Sequence, residues 1–369
     1  MPIYMDRHDV AEMVTADHVA HIHREDLKIQ HKFGCRGLTY WFDEKRKTAF
    51  CLIEAPDEKA IRMMHKEAHG QIPHRIIEVD AGVVESFLGR IEDPEKGENN
   101  EFNIITEPAL RTIMALTLKQ LSRAQSDSKQ YESSLPDYMH AALNSLNIYE
   151  GQVVKQTHNG FLVSFKSVSK AIQAALDIKS SFNKIRGKKK VEMTGLRIGL
   201  NAGVPVTEKK MFFEDTIKLA ERMCMFIESE IIVSSEVKEL YNNESVKALR
   251  EEENILLLTP ADEAFLTSLM DYIDTTWSDT VVSVDDFSKS VRCSKSQLYR
   301  KMIFLTGKSP NTFILEYRLN EALALLNKQS GNVSEIAFET GFTSPSYFSK
   351  CFRKKYGVLP SYYLPAKWG

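Results

Sequence analysis

Apolar positions change their spacing twice along this chain. Before residue 80 they come in short alternating runs. Ile3 to Met5 reads as a strand, and Thr15 to Phe33 as a helix capped at Thr15, with Val19, Ile22 and Ile29 on its apolar side. Gly37 to Phe42 and Thr48 to Glu54 read as strands joined by the polar turn Asp43 to Lys47. Pro56-Asp57 opens a helix over Glu58 to His69 that Gly70 stops, and His74 to Val79 is a last strand. From Leu110 to Tyr241 longer elements alternate. Thr112 to Leu118 is a strand, Pro136 to Leu146 a helix, and Gly151 to Phe165 two strands around His158-Asn159-Gly160. Ala171 to Phe182 and Thr216 to Glu228 are helices, while Gly195 to Ala202 and Ile231 to Ser234 are strands. The last hundred residues carry only the helical period.

Two polar stretches, Glu92 to Asn100 and Arg250 to Asn254, read as linkers. They divide the chain into units over 1–92, 107–249 and 262–369. The first has the order βαββαβ, an α+β ferredoxin-like plan. The second is α/β and the third all-α.

The third unit is written twice. Ser294, Ser296, Leu298, Arg300, Gly307 and Pro310 recur fifty positions later as Ser344, Ser346, Phe348, Lys350, Gly357 and Pro360. In the first copy Val284, Phe287 and Val291 share a helical face, Arg292-Cys293 turn the chain, and Ser294 stands at an N-cap. Leu298, Met302 and Leu305 then face inward, leaving Lys295, Gln297, Arg300 and Lys301 on other faces. In the second copy Val333, Ile336 and Ala337 face inward, Gly341 ends the helix, and Ser344-Pro345 starts the next. Phe348 and Phe352 point in, while Ser346, Tyr347, Lys350, Arg353 and Lys354 are free to point out. Each copy is a helix-turn-helix whose second helix fits a major groove. From Ser283 to Leu326 and Val333 to Tyr363, with a joining helix from Asn311 to Asn327, the stretch resembles the AraC-type DNA-binding domain. The resemblance implies a monomeric reader whose two recognition helices enter successive major grooves, about 34 Å apart. Lys295, Gln297, Arg300, Ser346, Tyr347 and Lys350 are then candidates for base edges. Lys301, Arg353 and Lys354 are candidates for phosphates, with Ser294 and Ser344 as caps that also offer backbone N–H groups. The bland reading is an all-helical interaction domain with one basic face.

Eight of the ten histidines precede residue 75. His65 and His69 are four apart on one helix and project from one face, a spacing that suits two ligands on one ion. His23 and Asp26 are three apart on the other helix, and His8 follows the first strand. Imidazoles with a carboxylate suit nickel, zinc or copper better than magnesium or calcium. The plain alternative is a set of surface or hydrogen-bonded core histidines. The strings MDRHD, AHIHREDL, LTYWFDEKRKTAFCLIEAP and HKEAHG resemble a family of nickel-binding ferredoxin-like proteins. That resemblance implies nickel, a dimer, and His8, His23, Asp26, His65 and His69 as ligands, with Cys51 and Glu67 as further candidates.

The strings RTIMALT, GQVVKQTHNGFLVSF, LRIGLNAG, TIKLAERM and IIVSSEVKELY resemble the class III nucleotide cyclase domain. In that family two aspartates hold the catalytic metal ions. Thr117 and Asn159 stand at those positions here, and neither supplies the anionic oxygen that Mg²⁺ requires. Lys218 stands where the family has an asparagine. Lys155 and Arg222 match the positions that meet purine and phosphate. The expectation is a degenerate, non-catalytic cyclase-like unit that binds a nucleotide or serves only to dimerise.

Composition changes little: 43% of residues are hydrophobic, 27% charged, and the net charge is −2. The charge that matters to DNA is local, and Ser344 to Gly357 holds four Lys or Arg and no acid. Five scattered cysteines without a CxxC pair suit a reducing cytoplasm. No apolar run reaches the length of a membrane span. The combined expectation is a cytoplasmic, sequence-specific transcription regulator that senses nickel, another transition metal, or a nucleotide. Its expected partners are double-stranded DNA and a second copy of the chain, with RNA polymerase and a nucleotide effector as further candidates. The competing readings are an active cyclase with a DNA-binding tail and a nickel-storage protein.

Overall fold

The computed structural model describes residues 1–94, 104–120, 125–189, 194–245, 255–280, 282 and 284–363. The first sheet has four antiparallel strands, β1 (Ile3–Asp9), β2 (Arg36–Asp43), β3 (Thr48–Glu54) and β4 (Arg75–Val79), in the order β2-β3-β1-β4. β1 runs to Asp9 instead of stopping at Met5. It is a central strand, and pairing on both sides satisfies the backbone of its charged half: Asp6 lies opposite Cys51 on β3 and Ile76 on β4. Helices α1 (Ala16–Ile29) and α2 (Glu58–Ala68) cover one face. Asp57 caps α2 through the Ala60 N–H at 2.8 Å, and Gly70 follows it at φ 79°.

Strand alternation sends Tyr4, Tyr40, Phe42, Cys51 and Ile53 to the helix face. Met5, Trp41, Phe50, Leu52 and Ile77 go to the other. An apolar second face has to be covered. Part of the cover is α3 (Ala81–Leu88), a helix the sequence pattern above did not include. Asp80 caps it and Gly89 ends it at φ 83°, and Val84, Phe87 and Leu88 pack inward.

The rest of the cover comes from a second sheet. It contains β5 (Arg111–Gln120), β6 (Gln152–Thr157), β7 (Gly160–Phe165), β8 (Thr194–Gly203), β9 (Ile231–Val233) and β10 (Ile255–Leu257). The order is β10-β9-β8-β5-β7-β6, parallel from β10 to β8 and antiparallel beyond. Helices α4 (Gln125–Ile148), α5 (Val168–Lys189), α6 (Glu214–Phe226) and α7 (Ser235–Glu244) complete the unit. α4, α5 and α7 pack on the face carrying Met114, Leu116, Val163 and Ile198. α6 and α3 lie on the other face, where Ile113, Ala115 and Leu162 meet the first sheet. α4 contains Pro136 instead of starting at it.

The third unit is helical: α8 (Pro260–Thr276), α9 (Val284–Ser290), α10 (Lys295–Thr306), α11 (Pro310–Asn327), α12 (Val333–Glu339) and α13 (Pro345–Tyr356). It has two cores. Leu266, Leu269, Phe287, Leu298, Met302 and Phe313 form the first and share it with Met223 and Ile227 at the end of α6. Leu319, Leu326, Ile336, Phe348 and Phe352 form the second. α11 runs through both. Its Arg318 ties them, donating from Nε to Trp277 O at 2.7 Å and from Nη1 to Gly341 O at 3.0 Å. Gly341 sits at φ 76°, and a Cβ there would stand 2.8 Å from Ser278 O, so this tight approach requires glycine.

Residues 95–100 and 250–254 of the expected linkers lie outside the described residues, while Asp93 lies against α1 beside His23. Among the described residues no helix is long and apolar enough to cross a membrane.

Candidate metal centre and nucleic-acid interface

The helix face of the first sheet gathers the histidines. On β1 the period of two puts Asp6 and His8 on the same side. α2 presents His65 and His69, and α1 presents His23 and Asp26. His8, His23, Asp26 and His65 are all buried, as is Cys51 on β3. With His69 and the apolar Val10, Val19, Ile22 and Ala49 they line a cavity of about 20 Å³. That is room for one water-sized body.

At the centre stands His65. Its Nε2–H donates to Asp6 Oδ2 at 2.8 Å and its Nδ1–H to Asp26 Oδ1 at 3.0 Å. An imidazole that donates from both nitrogens is an imidazolium. Burial alone would lower its pKa, but the Asp26 and Asp6 carboxylates outweigh burial and raise it to about 10. The carboxylates respond in turn. Burial pushes the Asp6 carboxyl up, and His8 and His65 overcome this and hold it well below the usual range. Asp26 is lowered in the same way by His65 and His69.

Asp6 was not among the candidates read from the sequence. It is fully buried, accepts the Cys51 N–H at 3.1 Å and faces His8 Nε2 at 3.4 Å. Its signal was its place two residues before His8 on a strand. His69 donates from Nε2 to Asp26 Oδ1 at 3.1 Å, and its Nδ1 accepts the Gln71 N–H at 3.1 Å. The His65–His69 side of the cluster is therefore satisfied by its own hydrogen bonds. The other side is not: His8 Nε2 and His23 Nε2 are buried without a hydrogen-bond partner. Buried nitrogens of that kind call for a ligand. Two triads, Asp6–His8–Cys51 and Asp26–His65–His69, each bring three donor atoms within 4.8 Å of one another. The residues fit a transition metal of nickel type. Glu67 is not in the cluster; it is exposed and pairs with Lys32 at 2.7 Å. His18 is used by α1, accepting the Thr15 N–H at 3.2 Å.

The repeated motifs fold alike. Ser294 Oγ accepts the Gln297 N–H at 3.2 Å, and Gln297 Oε1 accepts the Ser294 N–H at 2.9 Å, a reciprocal cap on α10. Ser344 Oγ caps α13 through the Tyr347 N–H at 3.3 Å. Leu298, Met302 and Leu305 in one, and Phe348 and Phe352 in the other, bury the inner faces. Lys295, Gln297, Arg300, Ser346, Tyr347, Lys350, Arg353 and Lys354 are exposed. Arg300 and Lys350 make no ion pair among the described residues. Two candidates are engaged elsewhere: Lys295 pairs with Asp285, and Lys301 lies over the Phe265 ring at 5.2 Å and donates to Ala261 O at 3.3 Å.

In the second sheet Thr117 pairs with Gly160, and Asn159 Nδ2 donates to Leu118 O at 2.8 Å. Both line a cleft of about 900 Å³ that α11 and α13 close from the other side. Lys155 is exposed on β6. Arg222 on α6 is turned to α8, donating to Asp271 at 2.6 Å and Asp274 at 3.1 Å.

Comparison with known proteins bears on the two ends of the chain. A family model described as nickel responsive protein SCO4226-like matches residues 4–79, and one described as a helix-turn-helix domain matches residues 287–365. Histidine kinase P4 of Formosa agariphila is 35% identical over 108 residues, 29% of this chain and 8% of the kinase. The uncharacterized HTH-type transcriptional regulator YidL of Escherichia coli is 39% identical over 79 residues, 21% of this chain and 27% of the regulator. A solved transcriptional regulator with an AraC-type DNA-binding domain, from Chromobacterium violaceum, is 27% identical. It covers 30% of this chain and 100% of its own, with a TM-score of 0.27. The chain thus spans less than a third of these curated relatives.

Proposed function

We propose that this chain, which joins an SCO4226-like nickel-responsive domain to an AraC-type helix-turn-helix domain, is a transcription regulator whose grip on DNA is set by a transition metal. The observation that carries the DNA half is the pair of capped helices, α10 and α13, presenting Arg300 and Lys350 at equivalent positions. Arg300, Lys350, Gln297, Ser346 and Tyr347 would read base edges, and Arg353 and Lys354 would hold phosphates. The buried, unpartnered nitrogens of His8 and His23 support the metal half. A bound nickel ion would add positive charge beside the Asp6 and Asp26 carboxylates. His65 would keep those carboxylates oriented through its two hydrogen bonds. The middle unit is read as the element that joins two copies, as its cyclase resemblance implies. Metal can act on DNA only by binding two arrangements of the chain unequally. Selection from a random duplex pool with the full chain is expected to return one sequence motif. Recovery of all duplexes alike would overturn the reading of α10 and α13.

The 900 Å³ cleft favours a second reading, in which a small polar effector also acts on the chain. Lys119, Arg197, Lys308 and Lys355 line it beside Glu228 and Glu316, which pair with Arg197 at 2.6 Å and Lys308 at 3.0 Å. Equilibrium dialysis with ATP and GTP tests this: saturable binding supports it, and none removes it.

A further inference from the structure

We propose that Ile303 and Phe304 on α10 read thymine methyl groups in the major groove, beside the base met by Arg300. The inference rests on the DNA reading above. Tyr299, Ile303 and Phe304 are 39%, 52% and 61% exposed, while Leu298, Met302 and Leu305 on the opposite side of the helix are fully buried. Helical spacing sets the exposed residues in two columns, Tyr299 with Ile303 and Arg300 with Phe304, each pair one turn apart. Arg300 is therefore flanked by apolar side chains. Single exposed apolar residues are ordinary, but three around one cation on one helix mark a surface that gains by being covered. Another flank of α10 is already taken, since Lys301 lies over the Phe265 ring and donates to Ala261 O.

The repeat supplies the contrast. Fifty positions later, Arg353 and Lys354 stand in place of Ile303 and Phe304, and both are exposed. Those cations can bond phosphate oxygens, and an isoleucine and a phenylalanine cannot. Otherwise the two helices share one frame: a serine cap, a buried inner face, and a left-handed glycine stop, Gly307 at φ 67° and Gly357 at φ 80°. The difference at 303 and 304 therefore changes the chemistry and not the placement. Ile303 and Phe304 share the outward side with Arg300, so they continue the surface presented to the groove. The apolar complement there is the C5 methyl of thymine, the one methyl group on the major-groove edge of the four bases. Residues three and four positions beyond a base contact lie on the same helix face and meet neighbouring base pairs. The first motif then takes its selectivity from a guanidinium and two apolar side chains, while the second carries more of the backbone charge.

The test uses the full chain and the duplex it selects. Each thymine is replaced in turn by deoxyuridine, which keeps the base pair and lacks the methyl group. A loss of affinity of about fourfold, the effect of one buried methyl, is expected at one or two thymines next to the base that Arg300 discriminates. Ile303→Ala/Phe304→Ala is expected to stay folded, as both side chains are exposed, and to bind thymine and uracil duplexes alike. Ile303→Arg/Phe304→Lys, which copies the second motif, is expected to lose the same discrimination and to steepen the salt dependence by about two units of slope. Indifference of the natural chain to every replacement, or equal discrimination by the alanine variant, would overturn the role of these two residues and leave the reading of Arg300 standing. A chain that selected no sequence motif at all would bring down both.

Discussion

Asp6 Oδ2 lies 2.8 Å from His65 Nε2, and the two side chains are 0% and 1% exposed. A charge pair so far from water stabilises only while both members are ionised and hydrogen-bonded. Asp6 lies at the middle of a central strand and His65 on the buried face of α2, so the pair locks α2 to the sheet. It also sets the Asp6 carboxylate, whose other oxygen lies 3.4 Å from the orphaned His8 Nε2.

Replacing Asp6 should therefore do two things. Asp6→Ala leaves the His65 cation buried against one carboxylate instead of two and should cost roughly 3–5 kcal/mol of stability, the usual penalty for breaking a buried pair. Nickel affinity should fall about 10- to 100-fold in the milder Asp6→Asn, as when a group that orients a metal ligand is lost. Thermal unfolding and nickel titration measure the two effects. Unchanged values for both would mean that the pair is incidental.

The pH dependence has a definite sign. The folded-state pKa of His65, about 10, lies above its ordinary value of 6.5. Its contribution is thus fully present below about pH 6.5 and is lost as pH rises toward 10. The carboxylates of Asp6 and Asp26 are lowered, so their contribution is lost from the acid side, as pH falls through their folded values. These describe one charge network opened from two directions. Metal-free protein should lose stability on both sides, and the alkaline loss should disappear in His65→Gln. An imidazole ligates a metal only through an unprotonated nitrogen, so nickel affinity should rise with pH.

On the proposed reading, Arg300 and Arg353 would make different kinds of contact, one reading sequence and the other holding the backbone. Arg300→Ala should weaken binding by roughly 1–3 kcal/mol and relax preference at one base position. Arg353→Ala should weaken all duplexes alike and flatten the salt dependence by about one unit of slope. Binding titrations over a salt series with matched and mutated duplexes distinguish the two. Identical behaviour of the variants would contradict the division.

Arg222 tests the joint between the second and third units. Its guanidinium holds Asp271 and Asp274 of α8. Both acids are about half exposed or more, so solvent screening limits the effect. Arg222→Ala should lower stability by about 1 kcal/mol and loosen α8 in hydrogen exchange. A loss of nucleotide binding with α8 unchanged would instead point to the phosphate role that the cyclase resemblance implies.

How far the sequence could be read depended on where the decisive forces act. The α+β order of the first unit and the paired motifs of the third were legible because local signals fix them: Asp57 and Ser294 cap, Gly70 and Gly307 stop, and alternation or helical spacing marks the buried faces. Asp6 was missed because MDRHD reads as polar, and its burial arises only when β3 and β4 pair on both sides of β1. α3 was missed although its signs were present: Asp80 as cap, an apolar run, and Gly89 as stop. Asp93 lay in a stretch read as linker, and its place beside His23 is a contact between residues seventy apart that no local pattern records.

On the proposed reading, metal at the histidine cluster changes the docking of α10 and α13 on DNA. The most direct measurement is the affinity of the full chain for its selected duplex, at fixed salt, with and without nickel, for the natural sequence and for His8→Ala/His23→Ala. Nickel should shift the affinity of the natural chain by about 5- to 150-fold, the range of typical coupling energies, and should leave the double variant unmoved. A chain that binds nickel while holding the same duplex with the same affinity would contradict the account.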